Sequence, residues 1–311
     1  MTAPRDHGGG LDAAVAKYGG IRSEWLDLST GINPVPYPLP TVPDMAWEAL
    51  PDQAAFDRLS RRARVYWTVP DTAAVVPTAG LSCAISLLPT LLPPGRVAIP
   101  GPTYNEYGAA FKAAGWTLDE DGKNAVVLVH PNNPDGLRWS AADANASLTI
   151  IDESFADLTP SESLIKEAGR PGVIVLKSFG KFWGLAGLRL GFAIGDPTLI
   201  GLLAERLGPW QVSGPALHIG SEALADPGWA DDTRARLKAD ADRLDDLLLS
   251  KGAQIVGGTT LFRLYEVQDA AAAQDHLAQG RVWSRIFPYA PNWLRLGIPA
   301  PDRWAQLEAA L

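Results

Sequence analysis

Six short apolar runs between Thr72 and Ile194 constrain the fold of this chain more than any other feature of its sequence. The runs are rich in β-branched side chains and continuously apolar rather than alternating: "TAAVV", "RVAIP", "NAVVLV", "SLTII", "GVIVL" and "RLGFAI". Such runs are typical of strands that are buried on both faces of a sheet. Helical stretches such as "LSCAISLLPTLL" and "YNEYGAAFKAAG" separate several of them. This alternation predicts an α/β fold with a mostly parallel sheet.

The chain beyond these runs predicts a second, smaller domain. Two helices are predicted in "DPTLIGLLAERLG" and "SGPALHIGSEALAD", and a long helix follows, with Pro227 near its start and Gly252 past its end. The segments "AQIVGGTTLFRLYEV", "RVWSRIFP" and "WLRLGIP" then indicate short strands. We therefore expect a large domain over residues 36–225. We expect a small α/β domain formed by residues 226–311 together with residues 1–35, which contribute an N-terminal arm.

Composition and charge exclude several classes of function. The net charge of -8 gives no electrostatic basis for binding nucleic acid or an anionic membrane. The single cysteine, Cys83, excludes a disulfide framework and a thiolate metal cluster, and it fits a reducing compartment. The first residues, "MTAPRDHGGG", are polar, and no apolar stretch is long enough to span a membrane. We therefore expect a cytoplasmic protein that acts on a small molecule.

Polar, aromatic or glycine residues follow five of the predicted strands where the strands end. The segments are "PTAGLS", "GPTYNEY", "HPNNPDG", "DES" and "KSFGK". Ligands of open α/β sheets bind beyond the carboxyl ends of the strands, so five such ends together indicate one shared site. Each segment alone also fits a structural role, such as a helix start, a turn, a helix cap or a surface loop.

Lys181 and Arg189 are two cations within "KSFGKFWGLAGLRLGF", a segment otherwise rich in small and apolar residues. Lys181 fits a surface loop, and it equally fits a desolvated, reactive amine. Arg189 begins the predicted strand "RLGFAI", and an arginine that enters a buried strand requires an anionic partner. Pyridoxal 5'-phosphate (PLP), bound as a Schiff base, matches the whole set. It offers a phosphate for Arg189, Ser178 and the helix start at Gly80, a flat ring for Tyr104, a ring nitrogen for Asp152, an oxygen for Asn133 and a carbonyl for Lys181.

The segment "SFGKFWGLAGLRLG" resembles the lysine motif of the fold-type-I PLP enzymes of the histidinol-phosphate aminotransferase kind. A serine lies three residues before the lysine, an arginine lies eight residues after it, and "HPNNPDG" and "DES" precede it in the family's order. The resemblance implies the fold-type-I transferase fold and a homodimer. It also implies these roles: Lys181 links covalently to PLP and later moves protons, Asp152 pairs with the pyridine nitrogen, Asn133 contacts the ring oxygen, Tyr104 stacks on the ring, Ser178 and Arg189 hold the phosphate, and Arg295 takes the substrate carboxylate. We also expect Gly80 and Leu81, at the predicted helix start, to bind the cofactor.

Further segments are similar to the L-threonine-O-3-phosphate decarboxylases of cobalamin biosynthesis, among them "HGGGLDAAVAKYGG", "WLDLSTGINPVPYP" and "FPYAPNWLRLGIP". This resemblance implies the decarboxylation of L-threonine O-3-phosphate to (R)-1-aminopropan-2-yl phosphate. The substrate phosphate carries about two negative charges near neutral pH and therefore needs donors of its own. We expect these donors from His7, from the segment that contains Gly31 and Asn33, and from Arg285.

Two departures from the aminotransferase pattern bear on the choice of reaction. Phe155, which we also expect to contact the cofactor, stands where the aminotransferases place a tyrosine that donates to the ring oxygen. The absence of this hydroxyl favours the decarboxylases. Leu50 stands where they have a tyrosine that reaches the partner subunit's cofactor phosphate. The alternatives are an aminotransferase of the histidinol-phosphate type and a non-catalytic scaffold or regulator. His130 adjoins the "PNNPDG" loop, where a structural role is favoured, and the histidine spacing predicts no metal site.

Overall fold

Strands and helices alternate through the middle of the chain in the computed structural model, which describes residues 7–122 and 124–311. The strands are β1 (Leu26–Asp27), β2 (Ala74–Thr78), β3 (Arg96–Ala98), β4 (Thr117–Leu118), β5 (Ala125–Val129), β6 (Leu148–Asp152), β7 (Val173–Ser178), β8 (Gly191–Gly195), β9 (Gln254–Thr259), β10 (Phe262–Glu266), β11 (Val282–Trp283), β12 (Arg285–Phe287) and β13 (Ala290–Gly297). The helices are α1 (Leu11–Tyr18), α2 (Asp44–Glu48), α3 (Gln53–Tyr66), α4 (Leu81–Leu87), α5 (Glu106–Ala113), α6 (Pro197–Leu207), α7 (Gly214–Ala223), α8 (Pro227–Ser250), α9 (Ala270–Gln279) and α10 (Trp304–Ala310).

The described chain divides into two compact units. The large unit contains Pro36–Asn133 and Arg138–Asp231. The small unit contains the described residues up to Val35 together with Pro134–Leu137 and Asp232–Leu311. The short segment Pro134–Leu137 therefore belongs to the small unit although both of its neighbours in sequence belong to the large one.

A seven-stranded sheet forms the centre of the large unit, in the order β2-β8-β7-β6-β5-β3-β4. The strands from β7 to β4 are parallel to their neighbours, and β8 runs antiparallel to both β7 and β2. All residues of β5, β6 and β8 are buried, because the sheet is covered on both faces. The mostly parallel α/β fold predicted from the apolar runs is confirmed.

Each predicted apolar run overlaps a strand, but the boundaries differ at functionally important ends. β7 continues past the apolar run "GVIVL" through Lys177 and Ser178. The prediction that Arg189 begins a strand was wrong. Strand β8 begins at Gly191, and Arg189 precedes it with a left-handed backbone at φ 53°. The two-residue strand β4 carries no apolar run that could have revealed it, since both of its residues are exposed.

The small unit contains an antiparallel sheet of order β12-β13-β10-β9 and a parallel pair formed by β1 and β11. Its core includes two buried leucines of α8, Leu244 and Leu248, which pack with Tyr265 and Leu296. No described helix is both long and apolar enough to cross a membrane.

Candidate active site

A pocket in the large unit is lined by residues that follow the ends of its strands. All nine of the residues predicted to bind a cofactor line it: Gly80, Leu81, Tyr104, Asn133, Asp152, Phe155, Ser178, Lys181 and Arg189. They come together because the parallel strands end at one edge of the sheet and the chain turns there into loops and helices. The sequence analysis missed Ser82, Ser154 and Gly180, which also line the pocket.

Asp152 is the last residue of β6, and its carboxylate is buried and held by three donors. Oδ1 accepts hydrogen bonds from the Ser154 amide at 2.9 Å and from the Ser154 hydroxyl at 2.6 Å. Oδ2 accepts a hydrogen bond from the Tyr107 hydroxyl at 2.7 Å. Three donors on one carboxylate fix its orientation.

Tyr107 is a functional candidate that the sequence analysis missed. Its side chain lies on α5 and is 0% exposed. Burial raises the pKa of Tyr107 well above its usual value, and the charge of Asp152 raises it further. The hydroxyl therefore remains protonated, and remains a donor to Asp152, throughout the neutral pH range. The sequence signal was the second tyrosine of "YNEY", which is easily taken for an ordinary core residue.

Lys181 lies in the loop after β7, where neighbouring aromatic side chains fix the backbone. Phe182 and Trp183 are both 0% exposed, so the two residues after Lys181 are anchored in the core. The amine of Lys181 is half-buried and lies 5.5 Å from the centre of the Phe155 ring. The apolar residues of this segment thus hold the loop in place while Lys181 lines the pocket.

Arg189 packs directly against the backbone of Gly80. A Cβ atom on Gly80 would lie 2.3 Å from Arg189 Nη2, a distance that no side chain tolerates without displacing the guanidinium. Gly80 also has a positive φ of 75°, which strongly favours glycine. Arg189 Nη1 donates to the carbonyl oxygen of Ala186 at 3.0 Å. Gly80 therefore provides the space that the arginine occupies.

Ser178 lies at the same edge of the sheet as Gly80. Its Cα partner in β8 is Gly191, and the Cα partner of Gly191 in β2 is Thr78, two residues before Gly80. The Ser178 hydroxyl accepts a hydrogen bond from the Gly180 amide at 3.2 Å. A hydroxyl, backbone amides and a guanidinium therefore share this edge, and these are donors that suit a phosphate.

Buried Asn132 links the loops that carry Tyr104 and Asn133. Its side chain accepts a hydrogen bond from the Thr103 hydroxyl at 2.5 Å and donates one to the Pro102 carbonyl at 3.0 Å. Two of the pocket walls are thereby held in register with each other.

His130 is buried outside the pocket lining, and both of its ring nitrogens have partners. Nδ1 accepts a hydrogen bond from the Trp139 amide at 3.0 Å, so Nε2 carries the proton that faces the Glu162 carbonyl oxygen at 2.9 Å. These contacts give His130 a structural role.

The candidate substrate residues His7, Gly31, Asn33, Arg285 and Arg295 all belong to the small unit. Arg285 and Arg295 are Cα partners on β12 and β13. Arg285 Nη1 donates to the His7 carbonyl at 2.7 Å. The side-chain oxygen of Asn33 accepts a hydrogen bond from Arg236 Nη2 at 2.6 Å and another from a backbone amide, so contacts within the unit occupy it. Gly31 is buried.

Arg295 is a buried cation. It is 5% exposed, its Nη2 donates to the Ser29 carbonyl at 2.6 Å, and its guanidinium lies 5.1 Å from the centre of the Phe262 ring. Burial lowers the pKa of Arg295 to about 10, and the nearby positive charge of Arg285 contributes to this shift. Arg295 remains charged at neutral pH, and a carboxylate beside it would offset the cost of burying that charge.

Among the described residues, no group of three or more histidine, cysteine, aspartate or glutamate side chains is arranged to hold a metal ion.

Comparison with known proteins relates this chain to one family of enzymes. The family described as "Aminotransferase class I and II" matches residues 116–311. The threonine-phosphate decarboxylase of Sinorhizobium sp. is 43% identical over 97% of this chain and 95% of its own length. The histidinol-phosphate aminotransferase of Symbiobacterium thermophilum is 28% identical over 82% of this chain and 79% of its own length.

A solved structure supports the same fold. The histidinol-phosphate aminotransferase of Sinorhizobium meliloti, in complex with pyridoxal-5'-phosphate, superposes with a TM-score of 0.80 at 16% identity. The similarity covers 96% of this chain and 92% of that one.

Proposed function

We propose that this chain, which belongs to the aminotransferase class I and II family and within it to the threonine-phosphate decarboxylases, binds PLP and decarboxylates L-threonine O-3-phosphate. The products are carbon dioxide and (R)-1-aminopropan-2-yl phosphate. One observation carries the proposal: all nine residues expected to bind the cofactor line one pocket of the large unit.

The donor set of the pocket fits PLP in charge and shape. Arg189, Ser178 and the backbone of Leu81 suit the phosphate, and the close approach of Arg189 to Gly80 leaves a cradle that a Cβ would fill. The buried Asp152 carboxylate suits a protonated ring nitrogen. The Lys181 amine on the pocket wall suits the aldehyde carbon.

Each of these residues has a definite task in the reaction. Bound PLP supplies an acceptor for the electrons of the bond that breaks at the substrate α-carbon. Asp152 holds the proton at the ring nitrogen, and Tyr107 and Ser154 orient its carboxylate. Lys181 Nζ binds the cofactor between turnovers and delivers the proton that replaces the lost carboxylate. Tyr104 and Asn133 orient the ring from two loops that Asn132 connects.

The preference for decarboxylation over transamination rests on two features. The identity to the decarboxylase is 43%, against 28% for the aminotransferase. Phe155 places an apolar ring beside Lys181 Nζ, where the aminotransferases have a hydroxyl. A non-catalytic scaffold is disfavoured as well, because the chain retains Lys181, Asp152, Asn133 and Arg189.

In this proposal two arginines bind the charged groups of the substrate. Arg295 takes the carboxylate, which offsets the burial of its guanidinium. Arg285, with His7 and the segment of Gly31 and Asn33, takes the substrate phosphate. In support, Arg285 donates a hydrogen bond to the backbone carbonyl of His7, so the two residues lie together.

The decisive experiment measures carbon dioxide released from L-threonine O-3-phosphate without any keto acid. Protein loaded with PLP should release one carbon dioxide for each threonine phosphate consumed. Lys181→Ala should lose both this activity and the visible absorbance of the bound cofactor. Product formation that requires a keto acid would instead identify an aminotransferase. Normal cofactor absorbance without either activity would favour a scaffold.

Three finer expectations belong to the same proposal. We expect a homodimer, and the support is that residues 39–50 carry four exposed apolar side chains, Leu39, Met45, Trp47 and Leu50, each between 66% and 69% exposed. Sedimentation at several concentrations tests this. We also expect the protein to act in cobalamin biosynthesis in the cytoplasm, which deletion of its gene and cell fractionation test.

A further inference from the structure

Three charged side chains are buried together in the large unit, outside the pocket lining. Lys177 and Glu153 are each 1% exposed, and Asp157 is 4% exposed. Lys177 Nζ forms an ion pair with Glu153 and lies 3.8 Å from Asp157 Oδ1. We call Lys177, Glu153 and Asp157 the buried charge cluster.

The carboxylates of this cluster are hydrogen-bonded on several sides. Glu153 accepts hydrogen bonds from the Ser163 hydroxyl at 2.6 Å and from the Leu164 amide at 2.5 Å. Asp157 accepts one from the indole of Trp67 at 2.8 Å and another from the indole of Trp183 at 3.1 Å. Each carboxylate therefore has one defined orientation.

Such a cluster contributes little to stability in comparison with an apolar core of the same volume. Removing charges from water costs about as much as their attraction returns, and apolar replacements of buried ion pairs are often neutral or stabilising. The distinctive effect of the cluster is thus on geometry, because its hydrogen bonds permit a single arrangement of the segments that carry it.

The cluster members adjoin the residues of the pocket in sequence. Glu153 directly follows Asp152, and Lys177 directly precedes Ser178. Successive side chains of a strand point to opposite faces, so at the adjoining ends of β6 and β7 one residue of each pair lines the pocket and the other joins the cluster. The Lys177–Glu153 pair therefore links the two strand ends that present Ser178 and Asp152.

The third member fixes the loop of Lys181. Trp183 lies two residues after Lys181, and its ring stacks between Phe179 at 5.1 Å and Trp229 at 5.2 Å. This stack sets the plane of the indole, and the hydrogen bond to Asp157 sets its direction within that plane.

We infer that the buried charge cluster positions Asp152, Ser178 and Lys181 relative to one another and thereby sets the affinity and the electronic environment of the cofactor. This inference rests on the proposed function. Lys177, Glu153 and Asp157 act as positioning residues, since they reach the cofactor only through their neighbours.

The test is the double variant Lys177→Met/Glu153→Leu. It removes one positive and one negative charge, so the net charge of the cluster does not change. The apoprotein should remain folded but unfold at a lower urea concentration than the wild type, because Asp157 stays buried and loses its nearby cation. The dissociation constant for PLP, measured by equilibrium dialysis, should rise by about tenfold, as is usual when outer-shell support is lost. The pH at which the cofactor absorbance changes should also shift.

Arg263→Met/Asp245→Leu is the matched control. It removes one positive and one negative charge from a two-bond ion pair, at 2.9 and 2.7 Å, in the small unit. It should leave the affinity for PLP and the absorbance titration unchanged. Trp183→Phe is a second variant, which keeps an aromatic ring in the stack and removes the donor to Asp157 together with part of the buried indole. It should weaken PLP binding in the same direction, and it decides the matter if the double variant does not fold.

Equal PLP affinity and an unchanged titration in the cluster variants would overturn the inference while leaving the proposed function intact. An equal loss of affinity in the control would also overturn it, because the effect would then follow from general destabilisation. Wild-type protein that does not bind PLP would overturn the proposed function itself.

Discussion

The contact between Gly80 and Arg189 predicts two effects of a substitution at Gly80, one on stability and one on cofactor binding. The two effects can be measured separately. Gly80→Ala imposes two changes at once. The new Cβ would lie 2.3 Å from Arg189 Nη2, and an alanine would have to adopt φ 75° and ψ 163°. This backbone region is essentially restricted to glycine, and other residues there cost about 1–3 kcal/mol of unfolding free energy. The clash itself costs little in the apoprotein, because the end of an arginine side chain can move.

Gly208→Ala isolates the backbone component. Gly208 ends α6 with φ 72° and ψ -177°, close to the conformation of Gly80, and no heavy atom lies within 4 Å of its hypothetical Cβ. Both glycines belong to the large unit. The two variants should therefore lose a similar unfolding free energy, about 1–3 kcal/mol, in urea denaturation of the apoprotein.

Only Gly80→Ala should weaken cofactor binding. Displacing Arg189 removes a hydrogen bond to a charged group, which is worth about 1.5–3 kcal/mol. The dissociation constant for PLP should therefore rise by about 10- to 100-fold, as measured by equilibrium dialysis. The reasoning fails if Gly80→Ala binds PLP as the wild type does, or if Gly208→Ala loses the same affinity. The first result would mean that Arg189 does not bind the cofactor phosphate. The second would mean that backbone strain alone causes the loss of PLP affinity.

Three further substitutions test individual residues of the site. Tyr107→Phe removes a donor to Asp152 and should weaken PLP binding by about tenfold; the loss should be the same at every pH from about 6 to 9, because the raised pKa of Tyr107 keeps its hydroxyl protonated there. Arg295→Lys should make the KM for threonine phosphate rise with pH relative to the wild type. The burial that lowers the pKa of Arg295 to about 10 would lower a lysine's pKa from about 10.4 towards neutrality, so the lysine loses its charge as the pH rises; a constant ratio of the two KM values would contradict this. Phe155→Tyr introduces a hydroxyl near Lys181 Nζ and should move the cofactor's absorbance transition to lower pH, whereas Phe155→Leu, which adds no donor, should not.

The sheet and the pocket could be predicted from the sequence because both follow from local patterns. A strand buried on both faces requires a continuous apolar run, and each of the six runs overlaps a strand. Polar residues directly after such runs must lie at the edge of a parallel sheet. Tyr104, Asn133 and Asp152 consequently share a pocket although they lie far apart in sequence.

The remaining features depend on tertiary packing that no local pattern contains. The sequence predicts that Arg189 begins a strand, but its left-handed backbone, with φ 53°, places it before the strand and against Gly80. Tyr107 looks like any aromatic residue of a helix until the fold brings Asp152 to its hydroxyl. The sequence analysis predicted no helix at α1, because the helix directly follows the glycine-rich segment "HGGG". Its Leu11 and Ala14 are buried within the small unit.

Lys177 and Lys181 show most directly how packing assigns chemistry to identical side chains. They lie four residues apart, and composition alone cannot distinguish them. The alternation of β7 directs Lys177 into the core, where its side chain is 2% exposed and within ion-pair distance of two carboxylates. Its amine is thus enclosed where no carbonyl compound can reach it. Lys181 lies beyond the strand end, half-buried on the pocket wall beside Phe155. Reaction of the apoprotein with PLP and borohydride should therefore label Lys181 and leave Lys177 unmodified, which peptide mass spectrometry would establish; label at Lys177 would refute the assignment.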